Sequence, residues 1–120
     1  MEGIVFITFV VGLILYVYFT DRKKRKIRES YHEGYMKAIL TNDKQLIQER
    51  GREWIVSGYC TSDNKKTLYN DALRMLESDA TIRLWALETG RAYYASLRKG
   101  GVVTIYDETA IKNDISVRIN

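Results

Sequence analysis

Three stretches of the chain differ sharply in how apolar and polar residues alternate. Gly3–Thr20 carries no charge in 18 residues, and 14 of them are apolar. Because those residues lie on every face of any helix they form, the segment lacks the polar stripe of a surface helix. At about 1.5 Å per residue it reaches roughly 27 Å, near the thickness of a bilayer's hydrocarbon core, and it is expected to be a transmembrane anchor over residues 1–20. From Lys23 to Leu40, Ile27, Tyr31, Tyr35 and Ile39 recur every fourth residue and predict a juxtamembrane helix continuing the anchor, with Gly34 inside it.

Thr41-Asn42-Asp43 then predicts a break, and Asn42 with Gln45 three residues on has capping-box form. A short helix from Asp43 to Arg50 would stop at Gly51. Trp54-Ile55-Val56 reads as a buried strand or tight connection. Thr61-Ser62-Asp63-Asn64 is a cluster of N-cap formers ahead of Leu68, Ala72, Leu73 and Leu76, which share one face of a helix ending near Ser78.

From Ala80 the period shortens towards two. Ile82, Leu84 and Ala86 alternate with Thr81, Arg83 and Trp85, Glu88-Thr89-Gly90-Arg91 offers a turn, and Ala92–Leu97 can return as a strand. Lys99-Gly100-Gly101 is a second turn signal before Val102–Tyr106, and Ile115, Val117 and Ile119 alternate as a last strand. Asp79–Arg91 resembles the last strand and turn of a WD-repeat blade, with Ala86 where that family carries Asp after Trp. The chain has no room for several blades of about 40 residues, so the resemblance implies a hairpin and no function. The expected fold is α+β: the anchor and its helical continuation, then a small domain of helices with a C-terminal antiparallel β meander. The alternative is a mainly α domain with one C-terminal hairpin, since the Leu, Ala and Glu content of residues 80–97 also suits helix.

Charge sharpens this division. The formal charge of +4 arises from Asp21–Arg28, a basic segment with six cations and one acid, whereas residues 29–120 carry 13 of each sign. A basic run directly after an apolar segment is the pattern of positive residues retained on the cytoplasmic side, which places the amino terminus outside and residues 29–120, as a small domain, in the cytoplasm or a topologically equivalent compartment. Tyr16 and Tyr18 fit an interfacial belt. Arg22, Lys23, Lys24, Arg25, Lys26 and Arg28 are then membrane-surface contacts for a bilayer with anionic head groups. Position explains all six, so nucleic acid is not the expected partner. No Gly-x-x-x-Gly spacing marks the anchor for self-association.

Single Cys and His residues exclude an intramolecular disulfide and argue against a Cys/His zinc site. Cys60 lacks a Cys-x-x-Cys partner and reads as a structural thiol in a reducing compartment, and His32 has no marked nucleophile beside it. Phosphate-loop, zinc-protease and nucleophile-elbow motifs are missing. Lys99-Gly100-Gly101 reads as a turn rather than an anion site, and Asp107, Glu108 and Asp114 as carboxylates of one loop, too irregular for calcium. No enzyme, cofactor or metal is expected.

All three Phe lie in the apolar segment, leaving Tyr and Trp as the large rings of the remainder. Tyr31, Tyr35, Tyr93, Tyr94 and Tyr106 are too many for so small a core and make a candidate protein interface. The expected function is therefore a non-catalytic, single-pass membrane-anchored interaction module or accessory subunit of a membrane assembly with protein partners. The alternatives are a membrane-tethered nucleic-acid binder and a small membrane-perturbing or exclusion protein of viral or mobile-element origin.

Overall fold

Five α-helices and no strand make up the described part of a computed structural model, which covers the backbone of residues 2–119 and the side chains of residues 6–119. In order they are α1 (Glu2–Thr41), α2 (Lys44–Val56), α3 (Ser62–Leu76), a 3-10 turn (Ala80–Ile82) leading into α4 (Arg83–Ser96), and α5 (Ile105–Ile119). The C-terminal half of α1 pairs with α2, α3 with α4, and α5 packs against α3 and α4. The N-terminal half of α1 stands clear as an arm, which gives the molecule extents of 76 × 35 × 15 Å.

Sequence-local chemistry sets the helix ends. Asn42 takes the left-handed conformation that stops α1 (φ 57°), a geometry its short polar side chain tolerates. The cap of α2 is its neighbour Asp43, whose carboxylate accepts from the N–H groups of Gln45 (3.1 Å) and Leu46 (3.3 Å). Thr61 and Asn64 form a reciprocal capping box at the start of α3.

The expected β meander is overturned because the buried positions follow the helical period. Along α4 the buried residues are Ile82, Trp85, Ala86, Thr89 and Gly90, whereas Leu84, inside the apparent alternation, is 77% exposed. Along α5 they are Asp107, Ile111 and Ile115, with Val117 pointing outward. The hairpin alternative falls with it, and the WD-like segment is helical. Trp54-Ile55-Val56 is the last turn of α2 rather than a strand.

Two glycines read as stops lie inside helices instead. A Cβ on Gly51 would sit 2.5 and 2.8 Å from the Trp85 ring, and one on Gly90 would sit 2.9 Å from the Tyr69 ring and 3.1 Å from Ile111. These residues are bare so that a neighbouring helix can approach, not so that the chain can turn.

The transmembrane reading is also corrected: among the described residues no helix is long and apolar enough to cross a membrane. Gly3, Ile4 and Val5 lie outside the described side chains. Within α1 the apolar stretch ends at Thr20. Without a break α1 then continues into the charged Asp21–Arg28. With no such helix among the described residues, the single-pass membrane localisation, the outside amino terminus and the cytoplasmic placement lose their basis.

The core forms two clusters. Tyr35, Ala38, Ile47, Trp54, Cys60 and Leu68 join α1 and α2 to α3, and a second group around Leu73, Leu76, Trp85 and Ile111 joins α3, α4 and α5. Ile55 and Met75 pack against both.

The two helix pairs repeat one another. Tyr35-x-x-Ala38 on α1 recurs 34 residues later as Tyr69-x-x-Ala72 on α3, all four buried. Glu49-x-Gly51-Arg52 on α2 recurs 39 residues later as Glu88-x-Gly90-Arg91 on α4. Each first-helix Tyr reaches the next first helix: Tyr35 donates to Asp71 of α3 (2.6 Å), and Tyr69 donates to Asp114 of α5 (2.8 Å). Each Gly likewise faces the next first helix, Gly51 at Leu68 and Gly90 at Ile111. In this series α5 takes the place of the first helix of a third pair.

Candidate functional site

Most chemically capable side chains of residues 29–120 are engaged in holding helices together. Asp107 is buried and accepts a forked bond from Arg98, with Nε at 3.0 Å, while exchanging bonds with Thr104 at the start of α5. The guanidinium and the Thr104 N–H favour the charged form and hold its carboxyl down at about 2. Glu108 is bridged by Arg91 (2.7 and 3.1 Å) and is likewise lowered. Asp114 accepts from Tyr69. The three carboxylates expected in one loop thus lie on α5, each turned to a separate structural partner.

The remaining candidates are equally committed. Cys60 is buried, and loss of solvent pushes its thiol up to about 11, partly offset by Lys65, so it stays protonated at neutral pH. Exposed His32 packs its ring edge against Trp54 at 5.5 Å between centroids. Burial and the adjacent carboxylates raise the hydroxyls of Tyr35 and Tyr69 far above the usual phenol range. Among the described residues no group of His, Cys, Asp and Glu side chains could hold a metal ion.

The five tyrosines named from sequence are scattered. Tyr35 lies in the core, Tyr31 stacks on Tyr59 (6.2 Å between centroids), and Tyr93 and Tyr94 surround Tyr69. Tyr106 is exposed, at the start of α5. The six basic residues Arg22, Lys23, Lys24, Arg25, Lys26 and Arg28 all project into solvent from one stretch of α1, without an ion pair among the described residues.

Two surfaces stand apart from this internal bonding. The first is the arm, where eleven large apolar side chains from Phe6 to Phe19 are 50–70% exposed. Covering each is worth about 1.5–3 kcal/mol, and the rest of the chain covers none of them fully. The second is a groove of about 220 Å³ between α4 and α5, lined by Arg83, Leu87, Lys112, Ile115, Ser116 and Ile119. The groove was not anticipated from sequence. Its signal is the repeat itself, which predicts where a further helix would pack. Comparison with protein-family models, curated proteins and solved structures finds no match to this chain.

Proposed function

We propose that this protein is a non-catalytic interaction module, an accessory subunit that attaches to a larger protein assembly through the apolar arm of α1. The observation that carries this reading is the arm itself. Its eleven exposed apolar side chains make a continuous surface around one helix, which is unfavourable in water until a partner encloses it. The engagement of Cys60, Asp107, Glu108 and Asp114 in packing and bonding supports a structural role for the remainder.

The test places a photo-crosslinking phenylalanine analogue at Phe9 or Tyr16 of the full chain in its native cells. A discrete protein adduct of fixed stoichiometry, carried by arm positions and not by exposed Lys66 of α3, is expected. Adducts confined to lipid, or none at all, would overturn the reading.

A further inference from the structure

The groove between α4 and α5 matches the berth that α4 itself fills one repeat earlier. Leu68 and Asp71 of α3 correspond, 43 residues on, to Ile111 and Asp114 of α5: the first of each pair faces the bare glycine and the second accepts the tyrosine hydroxyl. The same offset carries Ala72, Leu73 and Leu76, which pack against α4, onto Ile115, Ser116 and Ile119, which line the groove. On the other wall, Lys44, the first residue of α2, corresponds to Arg83, the first residue of α4.

Charge points the same way. Lys44 is paired at 3.3 Å with Asp79, the residue that caps the turn leading into α4. Of the seven arginines beyond residue 28, six have a carboxylate within 4.0 Å, and Arg83 has none among the described residues. Lys112, on the opposite wall, also lacks an ion pair among the described residues. An apolar floor of Leu87, Ile115 and Ile119 is therefore flanked by two cations, and for one of them, Arg83, the equivalent Lys44 pairs with an acid at a helix start.

We propose that this groove binds an amphipathic helix of a partner protein. It lies antiparallel to α5, with its apolar ridge on Leu87, Ile115 and Ile119 and a carboxylate of its first turn on Arg83. The proposal rests on the interaction-module reading and assigns that module a second contact, separate from the arm. Helix-in-groove recognition of this kind places apolar anchors at helical spacing and leaves orientation to rim charges.

A fluorescent peptide with the sequence of residues 79–97, whose helix occupies the equivalent berth, is the probe, titrated against the full chain by anisotropy. Saturable binding is expected, weakened at least about fivefold by Arg83→Glu, as for one ion pair turned repulsive. It should be restored when the peptide carries Asp79→Lys. Ser116→Arg, an exposed change that fills the groove, is expected to abolish binding. Thermal melts of both variants establish that the fold is intact. Equal binding by wild type and Arg83→Glu, or failure of the charge swap, would overturn the proposal, as would peptide-independent self-association that saturates the groove. Arm crosslinks that persist in Ser116→Arg separate a failed groove from a failed module.

Discussion

Gly51→Ala tests whether close helix approach, rather than chain reversal, is the role of this glycine. The added Cβ meets Trp85 Cζ2 at 2.5 Å and Cη2 at 2.8 Å, about 1 Å inside the carbon–carbon optimum of about 3.5–4.0 Å, with Leu68 behind at 3.6 Å. Trp85 is 1% exposed and cannot swing away. Such overpacking costs about 1–3 kcal/mol, and replacing a mid-helix glycine by alanine returns about 0.5–1 kcal/mol. The difference spans about 0–2.5 kcal/mol, and a Cβ about 1 Å inside contact with an immobile ring places the loss at its upper end, about 1–2.5 kcal/mol, or a fall in Tm of roughly 4–20 °C for a folded part of this size.

Denaturant unfolding of the full chain, followed by the fluorescence of buried Trp54 and Trp85, measures it. Gly34→Ala is the matched control, since its nearest neighbour is the flexible Arg50 side chain at 4.0 Å, and it is expected to gain about 0.5–1 kcal/mol. In Gly51→Ala/Trp85→Phe the smaller ring relieves the clash, so the double variant should lose less than the sum of the singles by at least about 1 kcal/mol. A Gly51→Ala protein as stable as wild type refutes the reasoning.

Three further expectations follow from the bonding. Asp107 has a folded-state value near 2, below its value of about 3.9 in an unfolded chain, so its contribution is complete above about pH 5 and fades as pH falls from about 4 towards 2. The stability difference between wild type and Asp107→Asn, from urea melts across pH 2–6, should shrink only in that acid range, and a difference flat with pH would contradict it. Tyr69→Phe deprives Asp114 of its donor and is expected to cost about 1.5–3 kcal/mol by chemical denaturation, more than Tyr106→Phe at an exposed position. Cys60, buried and protonated, should react with a disulfide reagent at pH 8 far more slowly than the unfolded chain, and an equal rate would place the thiol at the surface.

The cap of α3 and the local helical stripes are readable from sequence because they depend on neighbours in the chain, whereas the box expected at Asn42 gives way to a cap at Asp43. Ile27, Tyr31, Tyr35 and Ile39 mark the inner face of α1, and Thr61–Asn64 marks the start of α3. What was not readable depended on partners far away in sequence. Ile82, Leu84 and Ala86 alternate, yet Trp85 and Thr89 decide the period, and only the packing of α3 and α5 shows that these are the buried members. Gly51 and Gly90 read as punctuation in the sequence because glycine's local effect is to free the backbone, whereas here Trp85, Tyr69 and Ile111 demand the missing side chain. The apolar segment invites a membrane reading from composition, but among the described residues no helix is long and apolar enough to cross a membrane, and the segment merges into a charged helix. Arg83 gains meaning only beside its repeat equivalent Lys44, which pairs with Asp79 at the start of the next helix pair's second helix.

The unbroken course of α1 makes it a ruler as well as a handle. Residues 21–28 separate the arm from the core by about 12 Å, and each residue turns the arm by about 100° relative to Tyr35 and Ala38. No loop between them can absorb a change in that register. Whatever encloses the arm therefore sets the azimuth of the whole helical stack, and with it the direction in which the groove beside α5 opens.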